Sequence, residues 1–187
     1  MAITRIITPS ITDDAVNASK FDETDNYSFT GTVSGAGGGI FESQLLHVRH
    51  ELSSGTDAGS ASVGINTQSL NTVKTNEITG ASLSSNQITL PSGTYYIDAE
   101  LSCLLNNASI QAYLYNVTDS SNEVIGNTTN SLYGKPALQL KSRFTISAQK
   151  VFEIRFYAGV ALSNYGLGQA ASQTTEVYTD VRIWKVA

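Results

Sequence analysis

The chain has a single cysteine, Cys103, among its 187 residues. An intrachain disulfide is therefore impossible, and a metal cluster held by several thiolates is excluded. Cys103 lies between Ser102 and Leu104, inside an apolar strand pattern. A thiol in such a place behaves as a small apolar side chain, so we predict that Cys103 is buried and inert.

Charge is also scarce, since only 14% of the residues are charged and the net charge is −5. Proteins that recognise phosphates rely on clustered Lys and Arg, so a nucleic acid is not expected as a partner. Much of the remaining polarity comes from Ser, Thr, Asn and Gln. That composition favours strands, turns and polar interfaces over charged surface helices.

Long apolar runs are missing. No stretch reaches the roughly 18 uncharged apolar residues that indicate a membrane span. Residues 1–5, Met-Ala-Ile-Thr-Arg, lack the continuous apolar core of a signal peptide. We therefore expect a protein that is made in the cytoplasm, is soluble and does not insert into a membrane.

Histidine occurs only twice, as His47 and His50. On a strand, an offset of three residues sends two side chains to opposite faces, so this pair cannot hold one metal ion together. We predict that each histidine lies at the surface or in a hydrogen bond. The sequence predicts no metal site and no cofactor.

Residues 1–39 differ in composition from the rest of the chain. Thr, Ser, Asp and Asn dominate there, and no apolar period is sustained. The segment ends in a run whose glycines are Gly35, Gly37, Gly38 and Gly39. Because neither Lys-Ser nor Lys-Thr follows, the run does not match a phosphate-binding loop and indicates a flexible hinge. We expect residues 1–39 to form an extended arm that becomes ordered only against a partner.

Residues 40–187 alternate between apolar and polar side chains with a period of two, which is typical of half-buried strands. The clearest runs are 95–105, 110–115, 138–146, 152–157 and 177–186. Turn-forming residues separate these runs, and no long helix is indicated. The sequence therefore predicts an all-β, antiparallel β-sandwich or jelly roll preceded by the extended arm.

Several large aromatic side chains fall on the strand faces opposite the predicted core. They are Tyr96, Tyr113, Tyr115, Tyr157, Tyr178 and Trp184. In the last strand, Val177 is predicted to face inward and Tyr178 outward. Large aromatics favour buried contact surfaces, so we predict that this set contacts other subunits or a sugar. The alternative is that some of them cover sheet edges or belong to the core.

Seven stretches follow one another in an order that is typical of a known type of domain. They are SSGTDAG at 53–59, LNTVKTNEI at 70–78, ASLSSNQITLPSGTY at 81–95, AYLYNVTD at 112–119, SRFTI at 142–146, KVFE at 150–153 and EVYTDVRIWK at 176–185. Together, over residues 47–187, they resemble the C-terminal jelly-roll domain of bacteriophage and prophage tail-fibre and virion surface proteins. The N-terminal arm also resembles the short leaders of phage structural proteins.

The resemblance implies a jelly roll similar to tumour-necrosis-factor-like domains, which usually assemble as trimers. It therefore implies a homotrimer at the virion surface. Two assembly functions fit this expectation. In the first, the protein decorates or cements the capsid and docks on capsid or tail proteins through its N-terminal arm. In the alternative, it is a short tail fibre or fibre tip that binds host surface glycans.

An enzymatic function is the third possibility. Asp98 and Glu100 are two residues apart on a strand and point to the same face, with a spacing near the roughly 5.5 Å of retaining glycosidases. Alternating acidic residues on a solvated strand face are far more common. We therefore predict that the protein is not an enzyme and has no catalytic residues.

Overall fold

The computed structural model describes residues 44–105, 108–130 and 138–186. This part of the chain is entirely β, and it includes no helix long and apolar enough to cross a membrane. The strands are β1 (Gln44–Leu52), β2 (Gly64–Thr67), β3 (Thr72–Asn76), β4 (Ser82–Ser84), β5 (Gln87–Leu90), β6 (Gly93–Leu101), β7 (Ser109–Asn116), β8 (Ser121–Asn130), β9 (Leu138–Ile146), β10 (Lys150–Ala158) and β11 (Glu176–Lys185). The predicted arm and glycine hinge, residues 1–39, lie outside the described residues.

The strands form two antiparallel sheets. One has five strands in the order β3-β1-β11-β6-β9. The other has six: five lie in the order β4-β5-β10-β7-β8, and the sixth, β2, pairs with β10. The chain crosses repeatedly between the sheets, so that β11 lies between β1 and β6 while β10 lies between β5 and β7. This is the arrangement of a jelly roll, and it confirms the predicted fold class.

The core lies between the two sheets and follows the predicted alternation closely. In β6 and the residues after it, every second side chain from Tyr95 to Leu105 is buried. Cys103 belongs to this series, with 4% of its surface exposed, and burial raises the pKa of its thiol to about 11. A thiol with so high a pKa carries almost no thiolate at neutral pH, in agreement with the predicted inert role.

Three aromatic rings link the two sheets. The ring centroids of Tyr95 and Phe144, which are cross-strand partners on β6 and β9, lie 5.5 Å apart. Phe152 of β10 meets Phe144 edge-on at 5.7 Å from the opposite sheet. The Tyr95 hydroxyl donates a 2.7 Å hydrogen bond to the Pro91 carbonyl, so this large buried side chain has no unsatisfied polar atom. Burial of each ring contributes roughly 1.5–3 kcal/mol to stability.

A short hairpin that the sequence analysis did not single out joins β4 to β5. Ser85 and Asn86 form its two-residue turn with φ angles of 51° and 66°. Asn tolerates this left-handed region better than most residues, and two such residues match the twist of an antiparallel hairpin. The Asn86 side chain also accepts a 3.0 Å hydrogen bond from the amide of Leu70. The turn is thereby fixed to the segment before β3.

Strand β8 was not predicted, because its outward and inward side chains are mostly polar. Of its ten residues only Val124 is buried. Gly126 explains how this strand closes one side of the sandwich. A Cβ atom at this position would collide with the Gln139 carbonyl oxygen, and it would lie 2.7 Å from Leu140 Cδ2 and 3.0 Å from Ala112 Cβ. The absent side chain lets β8 approach β9 across the gap between the sheets.

We expect Gly126→Ala to destabilise the domain by about 1–3 kcal/mol, because the added methyl group forces the backbone of β8 away from β9. Equilibrium urea unfolding at a fixed protein concentration measures the change. Thr128→Ala, on the exposed part of the same strand, is the control and should leave the midpoint nearly unchanged. An unaltered midpoint for Gly126→Ala would contradict the close approach of β8 and β9.

Candidate functional site

The six predicted surface aromatics do not form one surface. Tyr96 and Trp184 point outward from the five-stranded sheet, on what we call the five-strand face. Tyr113, Tyr115 and Tyr157 point outward from the six-stranded sheet, on the six-strand face. These two faces lie on opposite sides of the core. The predicted contact surface is therefore two separate surfaces, and Tyr178 belongs to neither.

The predicted outward position of Tyr178 was wrong. Its side chain is only 4% exposed, and its hydroxyl donates a 2.6 Å hydrogen bond to the carbonyl of Thr56. Val177, which was predicted to face inward, is 42% exposed. The cause is a β-bulge, since His50 pairs with Thr179 while the next residue of β1 pairs with Val177. The extra residue in β11 reverses its alternation at this point.

Glu176 anchors two loops beside the buried Tyr178. Its carboxylate accepts hydrogen bonds from the amides of Ala171 at 3.0 Å, Gly55 at 3.1 Å and Ser172 at 2.7 Å. The bond from Ala171, followed by those from Gly55 and Ser172, lowers the pKa of Glu176 below its ordinary value. The carboxylate therefore stays charged and holds both loops against β11. This role is structural.

The aromatic part of the five-strand face lies at one end of the sheet. Trp184 is the cross-strand partner of Leu45 on one side and of Tyr96 on the other. The Tyr96 and Trp184 ring centroids are 6.1 Å apart, and Tyr96 is 40% exposed. The row continues to Arg143, the partner of Tyr96 on β9. Three neighbouring strands thus present a continuous apolar and aromatic row, which ends at the charged Arg143 on the fourth.

Asp180 organises the charged part of the same face. It accepts a 2.6 Å hydrogen bond from Arg49 Nε and lies 3.1 Å from Arg182 Nη2. His47 Nε2 is 3.0 Å from the same carboxylate. Arg49 also contacts Glu51 at 3.3 Å. Isolated surface pairs contribute little, but a connected network of this kind fixes the side chains in one arrangement.

The five-strand face carries charges of both signs in nearly equal number. Five basic side chains lie on it, out of eleven Lys and Arg in the whole sequence, together with four acidic ones. They are Arg49, Lys74, Lys141, Arg143 and Arg182 against Glu51, Asp98, Glu100 and Asp180. The face is thus close to neutral although the chain has a net charge of −5.

The carboxylates considered for catalysis belong to this charged face. Asp98 Oδ1 lies 3.6 Å from Lys141 Nζ, and Glu100 Oε1 accepts a 3.2 Å hydrogen bond from the side-chain amide of Gln139. Each carboxylate therefore has a different neighbour on β9. A cleft of about 580 Å³ borders Glu100 at the end of the sandwich, and Glu176 and Asp180 also line it. Over the described ranges, no group of three or more His, Cys, Asp or Glu side chains could hold a metal ion.

The two histidines lie on opposite faces, as predicted. His47 points outward and is bound to Asp180, which confirms its hydrogen-bonded role. His50 points inward and is only 4% exposed, so a surface position for it was wrong. Its Nδ1 atom has no hydrogen-bond partner, and its ring centroid lies 5.6 Å from that of Tyr178. Burial lowers the pKa of His50, because the protonated ring would lose its hydration.

The centre of the six-strand face is an ion pair stacked on a ring. Arg155 donates from Nε to Glu153 Oε2 at 2.7 Å, and its guanidinium carbon lies 3.6 Å from the centroid of the Tyr115 ring. Burial alone would raise the pKa of Glu153, but hydrogen bonds from Gln87 and Arg155 lower it below its ordinary value. Both members of the pair are therefore charged, and their charges cancel.

Apolar and aromatic side chains surround this central pair. Tyr113 is the cross-strand partner of Arg155 on one side and of Ile125 on the other. Tyr157 is the partner of Ile65, and both are well exposed, at 40% and 56%. The outward positions of β7 and β10 thus combine rings, aliphatic groups and one neutralised ion pair.

No family model matches the chain, and no curated protein sequence does. Among solved structures, murine APRIL crystallised at pH 8.5 is similar, with a TM-score of 0.51 and 7% identity over 78% of this chain and all of that one. The globular domain of zebrafish complement 1qA protein matches at a TM-score of 0.45 and 15% identity, over 78% of this chain and 98% of that one. The likeness to murine APRIL supports the jelly-roll fold that the sequence predicted.

We expect the stability of the domain to decrease as the pH falls below 6.5, the ordinary pKa of histidine. As the pH falls below 6.5, His50 takes up a proton in the unfolded chain but stays neutral in the folded chain. The unfolded state is thereby favoured, and the free energy of unfolding decreases until the pH reaches the lowered pKa of the folded state. His50→Phe removes this titration and should make the loss smaller. Urea midpoints at about pH 7 and about pH 5.5 provide the measurement.

Both pH values lie above 4.5, the ordinary pKa of the Glu176 carboxyl, so the acid loss of its loop contacts does not enter the comparison. The original chain and the variant are compared at one protein concentration, because self-association would shift the midpoint. Equal midpoint changes in the two proteins would show that His50 does not cause the acid sensitivity.

Proposed function

We propose that this chain is a non-catalytic structural protein of a bacteriophage particle that assembles as a homotrimer at the virion surface. In this proposal it decorates or cements the capsid and docks through residues 1–39, its N-terminal arm. The sequence resemblance over residues 47–187 supports the phage origin. The jelly roll supports the proposed knob, and the five-strand face supports the proposed self-association.

The composition of the five-strand face carries the proposal. Copies of a chain with a net charge of −5 repel one another unless the surfaces that meet are locally neutral. The five-strand face meets this condition, and its two signs allow one copy to pair with another. Trp184 and Tyr96 add an aromatic row of the kind that contributes most to binding energy at interfaces. Three copies related by a threefold axis would bury this row at their centre.

The fixed ion pairs favour such an interface for a second reason. Arg49, Asp180 and Glu51 are already largely buried in the single chain, and their exposed fractions are 25%, 17% and 16%. Side chains that are held in place before association lose little conformational entropy when another subunit covers them. The network therefore provides a preformed surface for a second copy.

A tail fibre or fibre tip that binds host surface glycans is the alternative function. The rings of the six-strand face favour it, because the exposed Tyr157 and its half-buried neighbours remain available when the five-strand face is covered. The two functions differ in stoichiometry. We expect hundreds of copies per particle for a decoration protein and about a dozen for a fibre, and quantitative mass spectrometry of purified particles distinguishes them.

We expect Tyr96→Ser to raise the concentration at which the oligomer dissociates by roughly tenfold or more, because a central aromatic contact is lost. Analytical ultracentrifugation over a dilution series measures the change. Tyr157→Ser is a matched control, since both tyrosines are 40% exposed but lie on opposite sheets. Weaker association in the control alone would assign the subunit contact to the six-strand face.

We expect deletion of residues 1–33 to leave a folded oligomer that no longer joins the particle, because the arm provides the contact with capsid or tail proteins. The assay expresses the shortened protein during infection and measures its amount in purified particles against the full chain. Size-exclusion chromatography of the free protein controls for folding and assembly. Incorporation at the normal level would exclude the arm as the docking segment.

A further inference from the structure

We propose that the six-strand face is a binding site for an uncharged glycan, with Tyr113 and Tyr157 as stacking platforms and with Arg155 and Gln111 as hydrogen-bond donors. The juxtaposition of the exposed Tyr157 ring and the half-buried Tyr113 ring with a neutralised ion pair on one face of the sheet is the basis of this proposal. It names the ligand class and the binding residues for the glycan binding of the alternative function. It does not depend on the assembly function, because assembly is assigned to the opposite sheet.

The exposed apolar groups of this sheet form one patch. Ile65 on β2 and Tyr157 on β10 are cross-strand partners and are 56% and 40% exposed. Ile125 is 64% exposed and lies on β8, on the far side of β7. Tyr113 on β7 connects Ile125 to the row of Arg155. Contiguous exposed apolar surface is uncommon on a single chain and marks a place where something binds.

The two principal rings are placed diagonally across a strand pair. Tyr113 pairs with Arg155, and Tyr157 is two residues further along β10, so the Cα atoms of the two tyrosines are separated by roughly 7–8 Å. Rings so arranged on one face of a sheet can contact neighbouring units of an extended chain. A pyranose ring suits them, because it has apolar C–H groups on its faces and hydroxyl groups at its edge.

Hydrogen-bond donors lie beside these rings. The side-chain oxygen Oε1 of Gln111 accepts a 2.7 Å hydrogen bond from the Tyr113 hydroxyl. The side-chain NH2 group of Gln111 therefore points away from that bond. In the part of the chain that the structure describes, neither this NH2 group nor the Tyr157 hydroxyl has a hydrogen-bond partner. Arg155 uses Nε and Nη2 for Glu153, so its Nη1 is available to an incoming hydroxyl group. Rings with adjacent donors are the combination that fixes a sugar in one orientation.

The electrostatics of the face select an uncharged ligand. The charged side chains beside the rings are Glu153 and Arg155, which compensate each other. Glu123, at the bulge of β8, accepts a 3.2 Å hydrogen bond from the side-chain amide of Asn116 near the end of the sheet. A nucleic acid or a sulfated glycan would find no net positive charge. A strongly basic partner would find no net negative charge. A neutral polyhydroxylated chain meets neither obstacle, and the fixed Arg155–Tyr115 stack offers it a planar polar surface.

The test uses the full chain on an array of linear glucose-, galactose- and mannose-based oligosaccharides, printed beside sialylated and sulfated ones. The best uncharged binder is then titrated in solution by calorimetry. Because a short oligosaccharide occupies one site at a time, avidity from a trimer does not enter the affinity. We expect Tyr157→Ser and Tyr113→Ala each to weaken binding by roughly tenfold or more.

Tyr96→Ser, with the same 40% exposure on the opposite sheet, is the matched control and should keep the affinity. If Tyr96→Ser loses subunit association but keeps sugar binding, the two functions belong to different faces. Each proposal can then fail without the other. Binding only to charged glycans, or affinity that survives both substitutions on the six-strand face, would overturn the proposal. Binding to no glycan, with subunit association lost in Tyr157→Ser, would instead identify this face as a protein interface.

Discussion

The packing of two sheets against one apolar layer is the constraint on which the rest of the structure depends. Most of the long strands direct every second side chain into that layer, where Tyr95, Phe144 and Phe152 connect the sheets. The remaining side chains must then face outward on one of two opposite sides. The possible function of a residue thus depends on the sheet to which its strand belongs and on whether its side chain faces into the core or outward.

The two outward faces differ in electrostatics, and this difference separates their proposed roles. The five-strand face has many charges of both signs, linked through Asp180, which suits contact with another copy of a negatively charged chain. At its centre the six-strand face has a compensated pair, Arg155 with Glu153, set among aromatic rings and exposed aliphatic groups. A surface without net charge suits an uncharged partner. One domain can therefore assemble through one side and bind through the other.

The fold could be predicted from the sequence because alternation is a local property, and the buried series from Tyr95 to Leu105 shows it clearly. The division of the aromatic side chains between two faces could not be predicted, because it depends on which strands share a sheet. The position of Tyr178 was missed because the bulge that reverses β11 arises from its pairing with His50 and Glu51, far away in sequence. The Asp180 network was missed for the same reason, since its partner Arg49 is 131 residues away.

Hydroxyl-radical footprinting of the assembled protein in solution tests the central claim most directly, because it reports the solvent exposure of both sheets in one experiment. Tyr96 and Trp184 report on the five-strand face, and Tyr113 and Tyr157 report on the six-strand face. The account predicts slow oxidation of Tyr96 and Trp184 that becomes faster on dilution to single chains, with fast oxidation of Tyr157 throughout. Protection of Tyr157 together with free oxidation of Trp184 in the assembled protein would contradict it.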